Sequence, residues 1–297
     1  MAVGGFKVMP APTRTYRVLS PAKLNLFLHV TGRRQDGYHS LQTLFQLLDW
    51  GDEMTFETTQ PSGDVTLRSA IAGVDPEDNL ILRAAALLKA ELLNRNIEPR
   101  CGVAITVKKN IPMGGGLGGG SSNAGTTLRI LNQLWQSPLN DKQLAQLGLQ
   151  LGADVPVFTM GQSAWAEGVG EQLEPVDLPE KWYVVINPHC HVSTAEIFSA
   201  PELTRDTPAI TMSAFFAGQI RNDLQPVVMA RYPAVNRALT LLEASAPSMM
   251  TGSGACVFAA FDTEASARVV ASAVPSTVEA IVARGVNRSP SIIETQD

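Results

Sequence analysis

The chain has 297 residues, 45% of them hydrophobic, and a formal net charge of −5. That is enough for a full globular core in about two domains of roughly 100–200 residues each, and it excludes bulk disorder. No apolar run reaches the ~18 residues of a membrane span, and no stretch interleaves basic with aromatic residues, so a membrane protein and bulk nucleic-acid binding are both disfavoured.

The first fourteen residues, with two prolines and no sustained apolar run, predict a flexible tail rather than a signal peptide. Tyr16 to Leu19 and Leu24 to Val30 read as strands. In the second, period two puts Lys23 and Asn25 on one face and the leucines on the other. Asp36-Gly37 is a turn signal. Leu41 to Leu48 is apolar but fits neither period, and Glu53 to Thr58 reads as a strand. Asp78 is the expected N-cap of a helix through Asn94 that buries Leu80, Ala84, Leu87, Leu88 and Leu92. Val103 to Val107 is a β-branched strand, Ser122 to Trp135 a helix, and Asp141 to Leu151 a helix closed by Gly152. A polar, proline-bearing stretch from Val169 to Lys181 suggests a domain boundary, giving expected domains at 15–172 and 173–297. Beyond it come a strand at Trp182 to Asn187, a helix starting at Ala195, a second glycine turn within Ser248 to Phe261, and a closing helix and strand. Cys101, Cys190 and Cys256 follow no metal or disulfide spacing, which predicts a reducing, cytoplasmic setting.

Ile111-Pro112-Met113-Gly114-Gly115-Gly116-Leu117-Gly118-Gly119-Gly120-Ser121-Ser122 is the strongest signal. Glycine is costly to order, so this density needs a reason. Close approach of the backbone to a phosphate supplies one, and the loop empties into a helix whose free N–H groups favour an anion. Ser121 or Ser122 could cap that helix or touch a phosphate or Mg²⁺. The bland alternative is a hinge. The Lys-Ser/Thr ending of a P-loop is missing, and the literal match to G-x-G-x-x-G lacks the following acidic strand end of a dinucleotide fold.

Three segments taken together resemble the GHMP kinase family: Pro21-Ala22-Lys23-Leu24-Asn25-Leu26, then Pro112 to Ser122, then Thr251-Gly252-Ser253-Gly254-Ala255-Cys256. They reach across nearly the whole chain. Within the family, Asp36-Gly37-Tyr38-His39, Leu151-Gly152-Ala153-Asp154-Val155-Pro156 and Ser193-Thr194-Ala195 resemble the branch whose alcohol acceptor carries a cytidine diphosphate group, in non-mevalonate isoprenoid synthesis. The resemblance implies an α+β fold of two domains. The N-terminal one would bind ATP and be similar to the second domain of ribosomal protein S5; the C-terminal one would be ferredoxin-like, with the site between them. It implies ATP with Mg²⁺, although no residue announces itself as a metal ligand, and a small-molecule partner for a monomer or weak homodimer. A mevalonate- or homoserine-type alcohol kinase and a non-catalytic nucleotide-binding regulator are the competing readings.

The resemblance implies a tertiary alcohol as acceptor, for which a base is useful. Asp154, between a helix end and the stiff Val155-Pro156 pair, is the candidate; a turn-forming aspartate is the alternative. Lys23 could pair with it and neutralise the transferred phosphate, or be a solvated edge lysine. Asn25 shares its face and could bond the substrate. Tyr38 and Phe198 could sandwich the cytosine, a pairing that rests on the resemblance, with His39 on the base edge. Phe45 and Thr194 are weaker candidates for the pocket wall and a phosphate. His189 and His191 would share a strand face and invite a metal reading, but further ligands are missing.

Overall fold

The computed structural model describes residues 13–60, 63–290 and 293–295. Of the tail expected over residues 1–14, residues 1–12 lie outside the described residues, while the main-chain N–H of Arg14 donates to Thr58 Oγ1 at 2.9 Å.

Two long antiparallel strands, β1 (Thr15–Arg33) and β2 (His39–Thr58), open the fold around the turn at Asp36-Gly37. The two strands read at Tyr16–Leu19 and Leu24–Val30 are therefore one. The register slips between Pro21 and Lys23, where proline has no N–H to offer the ladder, and again between Asn25 and Leu28. The segment Leu41 to Leu48 is the first half of β2. It showed no alternation because Leu44, Phe45, Leu47 and Leu48 are all buried, so both faces of the strand are covered.

Strand β3 (Val65–Leu67) runs parallel to β4 (Val103–Lys108), which pairs with the end of β2. Between them lies α1 (Leu80–Asn94). Its N-cap is Asn79, whose side chain accepts from the Ile81 N–H at 3.0 Å; Asp78 ends the preceding 3-10 turn instead. The buried stripe accordingly shifts to Ile81, Ala84, Ala85, Leu88 and Leu92, leaving Leu80 and Leu87 half-buried. Next come α2 (Gly119–Leu134), α3 (Asp141–Leu149) and α4 (Val155–Met160). A capping box between Asn140 and Gln143 starts α3, two residues shorter than expected; the Gly152 N–H returns to the Gly148 carbonyl at 3.3 Å. Helices α1, α2 and α3 pack on β1, β2 and β4 around Phe56, Leu88, Ile105, Leu131 and Trp135. Burial of each such side chain contributes about 1.5–3 kcal/mol.

Strands β5 (Ala164–Glu167) and β6 (Gln172–Pro175) extend β2. The division expected at 172/173 thus cuts β6, which is bonded to β5. The second unit begins at β7 (Trp182–Asn187). It continues through α5 (Thr194–Ser199), α6 (Met212–Phe216), α7 (Gln225–Arg231) and α8 (Pro233–Glu243) to β8 (Ser248–Met250) and β9 (Val257–Phe261). Helix α9 (Glu264–Ala273) and β10 (Glu279–Val286) follow, and β11 (Ile293–Thr295) returns to β1. The order β10-β7-β9-β8 is antiparallel throughout, which is the ferredoxin-like arrangement of a β-α-β-β-α-β chain. The last two residues of β10 pair with Leu47 and Leu48, so one continuous sheet joins both units. Among the described residues no helix is long and apolar enough to cross a membrane.

His29, on β1, is buried beside Phe27, its ring centroid 4.9 Å away, and among the described residues its Nδ1 has no hydrogen-bond partner. Burial lowers its pKa below the usual histidine value, against an opposing pull from Asp223 and with help from Arg221. The unfolded chain therefore binds a proton at higher pH than the folded one. Stability falls as pH drops below about 6.5 and stops falling only below the folded pKa. Urea midpoints measured from pH 7.5 to 5.5 should decline, and His29→Phe should flatten that slope; an unchanged slope would remove His29 as the cause.

Candidate active site

The glycine loop and the strand that carries Lys23 meet at one place. The Lys23 N–H donates to the Leu117 carbonyl at 3.0 Å, and Leu117 buries its side chain among Leu24, Phe27 and Phe258. The loop's carbonyls are tied down in the same way. Gly114 O accepts from the Ala255 N–H at 3.3 Å and Gly115 O from the Cys256 N–H at 3.0 Å. Its main-chain N–H groups are not: among the described residues, those from Met113 to Ser121 donate to no other group of the chain. Every residue from Pro112 to Ser121 lines one cavity of about 730 Å³, so these donors border open space. Unpaired amides at the head of a 16-residue helix are chemically suited to an anion.

Two glycines have no substitute. Gly116 sits at φ +76°, and a Cβ there would lie 2.2 Å from the Thr251 carbonyl oxygen. Gly118, also at φ +76°, is the N-cap of α2; a Cβ would come within 2.9 Å of Phe158 Cζ and 3.2 Å of Lys23 Cε. The lysine stem is thus packed against the start of α2.

Lys23 is 2% exposed. Its Nζ lies 3.3 Å from Asp154 Oδ2, donates to Asn25 Oδ1, and sits 5.4 Å above the centre of the Phe45 ring. The strand face read as polar is therefore buried, and it looks into the cleft rather than into bulk water. Asp154 is the N-cap residue of α4, yet its carboxylate makes no capping bond and is about one-third exposed. The turn-forming role weighed for it is not made by its side chain. It is held in place by Val155, buried against Gly148, and by Phe158, buried against Gly125.

Asn25 lines the cavity, but its side chain is largely committed to Lys23 and, at 2.9 Å, to Thr43 Oγ1, while its N–H donates to Thr251 Oγ1 at 2.9 Å. Ser122 differs from expectation. Its hydroxyl donates to the Pro21 carbonyl at 2.6 Å and shares a bond with Ser20 Oγ, so it faces β1 and is spent there. Ser121, one step round the helix, faces the cavity.

A buried network absent from the sequence reading sets the loop's entrance. Asp52, fully buried, accepts from the Asn110 and Ile111 N–H groups at 2.8 and 2.9 Å and from Asn123 Nδ2 at 2.9 Å, and it pairs with Lys109. Lys109 also bonds Asn123 Oδ1 at 3.0 Å and borders the cavity. Asp52 lies more than fifty residues from each of its partners, so no spacing rule could have joined them.

A second cavity of about 520 Å³ adjoins the first, and Thr194 and Phe198 line both. Tyr38 and His39 line the second. The ring in contact with Phe198 is that of His39, with centroids 5.1 Å apart and planes at 30°. Tyr38 sits at the Asp36-Gly37 turn, 67% exposed, with its N–H held by Asp36 Oδ1 at 3.1 Å. Thr194 Oγ1 shares a 2.7 Å bond with Ser253 Oγ, linking α5 to the second glycine turn. His189 lies past the end of β7 at φ +52°, so it and His191 do not share a strand face; His191 stands beside Gly114. Among the described residues no group of three potential metal ligands occurs.

Residues 79–162 match the family described as GHMP kinases N terminal domain, and residues 208–280 match GHMP kinases C terminal. The chain belongs to the GHMP kinase family. It is 53% identical over 274 residues to the 4-diphosphocytidyl-2-C-methyl-D-erythritol kinase of Marinobacter nauticus, covering 91% of this chain and 94% of that one. With the enzyme of the same name from Hahella chejuensis it shares 50% over 286 residues, 94% and 96% of the two chains. A crystal structure of 4-(cytidine 5'-diphospho)-2C-methyl-D-erythritol kinase superposes with a TM-score of 0.77 at 32% identity, covering 91% of this chain and 99% of that one. As in any GHMP kinase, ATP is the expected nucleotide.

Proposed function

We propose that this chain transfers the γ-phosphoryl group of ATP to the 2-hydroxyl of 4-diphosphocytidyl-2-C-methyl-D-erythritol, the acceptor in the names of its close relatives. The observation that carries the reading is the Lys23–Asp154 pair, 3.3 Å apart, at the mouth of a loop whose amides have no partner among the described residues. The loop wraps the triphosphate, and the adenosine extends toward Ile71, Val74 and Leu80, which line the same cavity near Lys109. The cytidine enters the second cavity between Tyr38 and Phe198. The unit up to β6 thus carries most of the ATP site and the later unit part of the acceptor site.

In the transfer, the hydroxyl oxygen attacks the γ-phosphorus and the bond to the β-phosphate bridging oxygen breaks, its electrons leaving with ADP. The hydroxyl proton passes to the Asp154 carboxylate. Lys23, already desolvated and oriented, sets its charge against the phosphoryl oxygens as charge spreads over them. Ser121, whose side chain faces the cavity, would help to hold an Mg²⁺ ion, which would supply positive charge beside the phosphates. Three unpaired cysteines agree with a reducing, cytoplasmic setting.

The test is ATP-dependent phosphorylation of the cytidyl-methylerythritol acceptor, with mevalonate and homoserine as controls. Turnover of the first and not of the others is expected; preference for either control would replace this reading with another alcohol kinase. Free CMP should compete with the acceptor and not with ATP. Competition against ATP would contradict two separate pockets.

A further inference from the structure

Arg205 lies in the segment between α5 and α6, and it is outside the set of described residues that line the 520 Å³ cavity. It nevertheless reaches that cavity's wall. Its Nε donates to His39 Nε2 at 3.1 Å. Its remaining donors clamp the end of α5 and the residues after it: Nη2 reaches the Phe198 and Ala200 carbonyls at 3.0 and 2.7 Å, and Nη1 the Leu203 carbonyl at 3.0 Å. One guanidinium thus fixes both rings of the His39–Phe198 pair, the histidine directly and the phenylalanine through its main chain.

The bond to His39 also carries information about a proton. A guanidinium only donates, so His39 Nε2 must offer a lone pair. Burial, with Arg205 and Arg33 nearby, holds His39 below its usual pKa, so the ring is neutral at neutral pH. In a neutral imidazole with Nε2 accepting, the proton sits on Nδ1. Among the described residues nothing engages Nδ1.

We propose that Arg205 is a positioning residue that locks His39 as the Nδ1–H tautomer, presenting a fixed donor that selects cytosine over uracil. This rests on the cytidine reading of the pocket given above. Ring nitrogen 3 of cytosine accepts a hydrogen bond, whereas in uracil it carries a hydrogen. A fixed donor is satisfied by the first and faces another donor in the second. A site built to bond one edge rejects a mismatched one because buried groups are left unpaired. Without Arg205 the imidazole is free to move its proton to Nε2 and accept from uracil instead.

The test uses the full chain, labelled with ¹⁵N at histidine. Imidazole nitrogen shifts and long-range proton couplings at neutral pH should place the His39 proton on Nδ1 in the wild type. In Arg205→Met they should show loss of that single tautomer. The ratio of kcat/KM for the cytidine acceptor over its uridine counterpart should fall at least about tenfold in Arg205→Met, and Arg205→Lys, which restores one donor, should recover part of it. A wild-type proton on Nε2 overturns the proposal, and so does a folded Arg205→Met with unchanged base preference. If Arg205→Met does not fold, the wild-type tautomer still decides. Failure of the wild type to phosphorylate the cytidine acceptor would instead remove the functional reading, and the spectrum would distinguish the two failures.

Discussion

Asp154→Asn should lower kcat by about 10²–10⁴-fold, the range for losing a positioned base, while ATP affinity stays near wild type. The carboxylate faces Lys23 and the cleft, bonds no loop amide, and caps no helix, so the substitution removes chemistry and little structure. Asparagine keeps the size and one oxygen toward Lys23. The buried ammonium loses a charge partner, but Asp154 is about one-third exposed and solvent moderates that cost. Single-turnover rates and ATP titration on the same preparation separate the two effects. A variant that keeps more than about a tenth of wild-type kcat would remove Asp154 as the base.

Gly116→Ala should abolish measurable ATP binding and lower the melting temperature. The backbone is at φ +76°, which costs a non-glycine residue roughly 1–3 kcal/mol. The new methyl would also stand 2.2 Å from the Thr251 carbonyl oxygen, a main-chain atom that cannot step aside. The loop and the second glycine turn must then part, and with them the carbonyl ties that leave the amides facing the cavity. Gly218→Ala supplies the control. It has a similar φ of +79°, but an added Cβ meets nothing within 4 Å, so it should show the strain alone and bind ATP normally. Equal ATP affinity in the two variants would show that the close approach at Gly116 does not shape the site.

What could be read from the sequence follows from how local each cause is. The glycine density at Gly114 to Gly120 has few physical uses, and a lysine set among strand leucines is expensive unless paired, so both declared themselves. Pro156 stiffened the chain after Asp154 and marked that carboxylate as held. Side-chain direction was harder. Ser121 and Ser122 differ only by one step of a helix whose start, at Gly119, the glycines concealed. The contact between His39 and Phe198 depends on how the turn at Asp36 presents Tyr38 and His39, and no periodicity encodes that. Asp52 with Lys109 and Asn123, and Arg205 with His39, join residues far apart in the chain. Such bonds exist only once the sheet has closed. Arg14 bonds to Thr58 and β6 pairs with β5, contacts that composition does not announce because short polar segments pair by edge availability.

Phosphoryl transfer in this cleft requires the loop's amides and the Lys23–Asp154 pair to point at one place. A crystal structure of the chain with a non-hydrolysable ATP analogue and the cytidyl-methylerythritol acceptor tests it most directly. The account predicts N–H groups between Met113 and Ser121 on the phosphate oxygens, and an acceptor oxygen about 3–3.5 Å from the terminal phosphorus with Asp154 in reach of its proton. A triphosphate lying outside the loop, or a terminal phosphorus more than about two hydrogen-bond lengths from both Asp154 and Lys23, would contradict it.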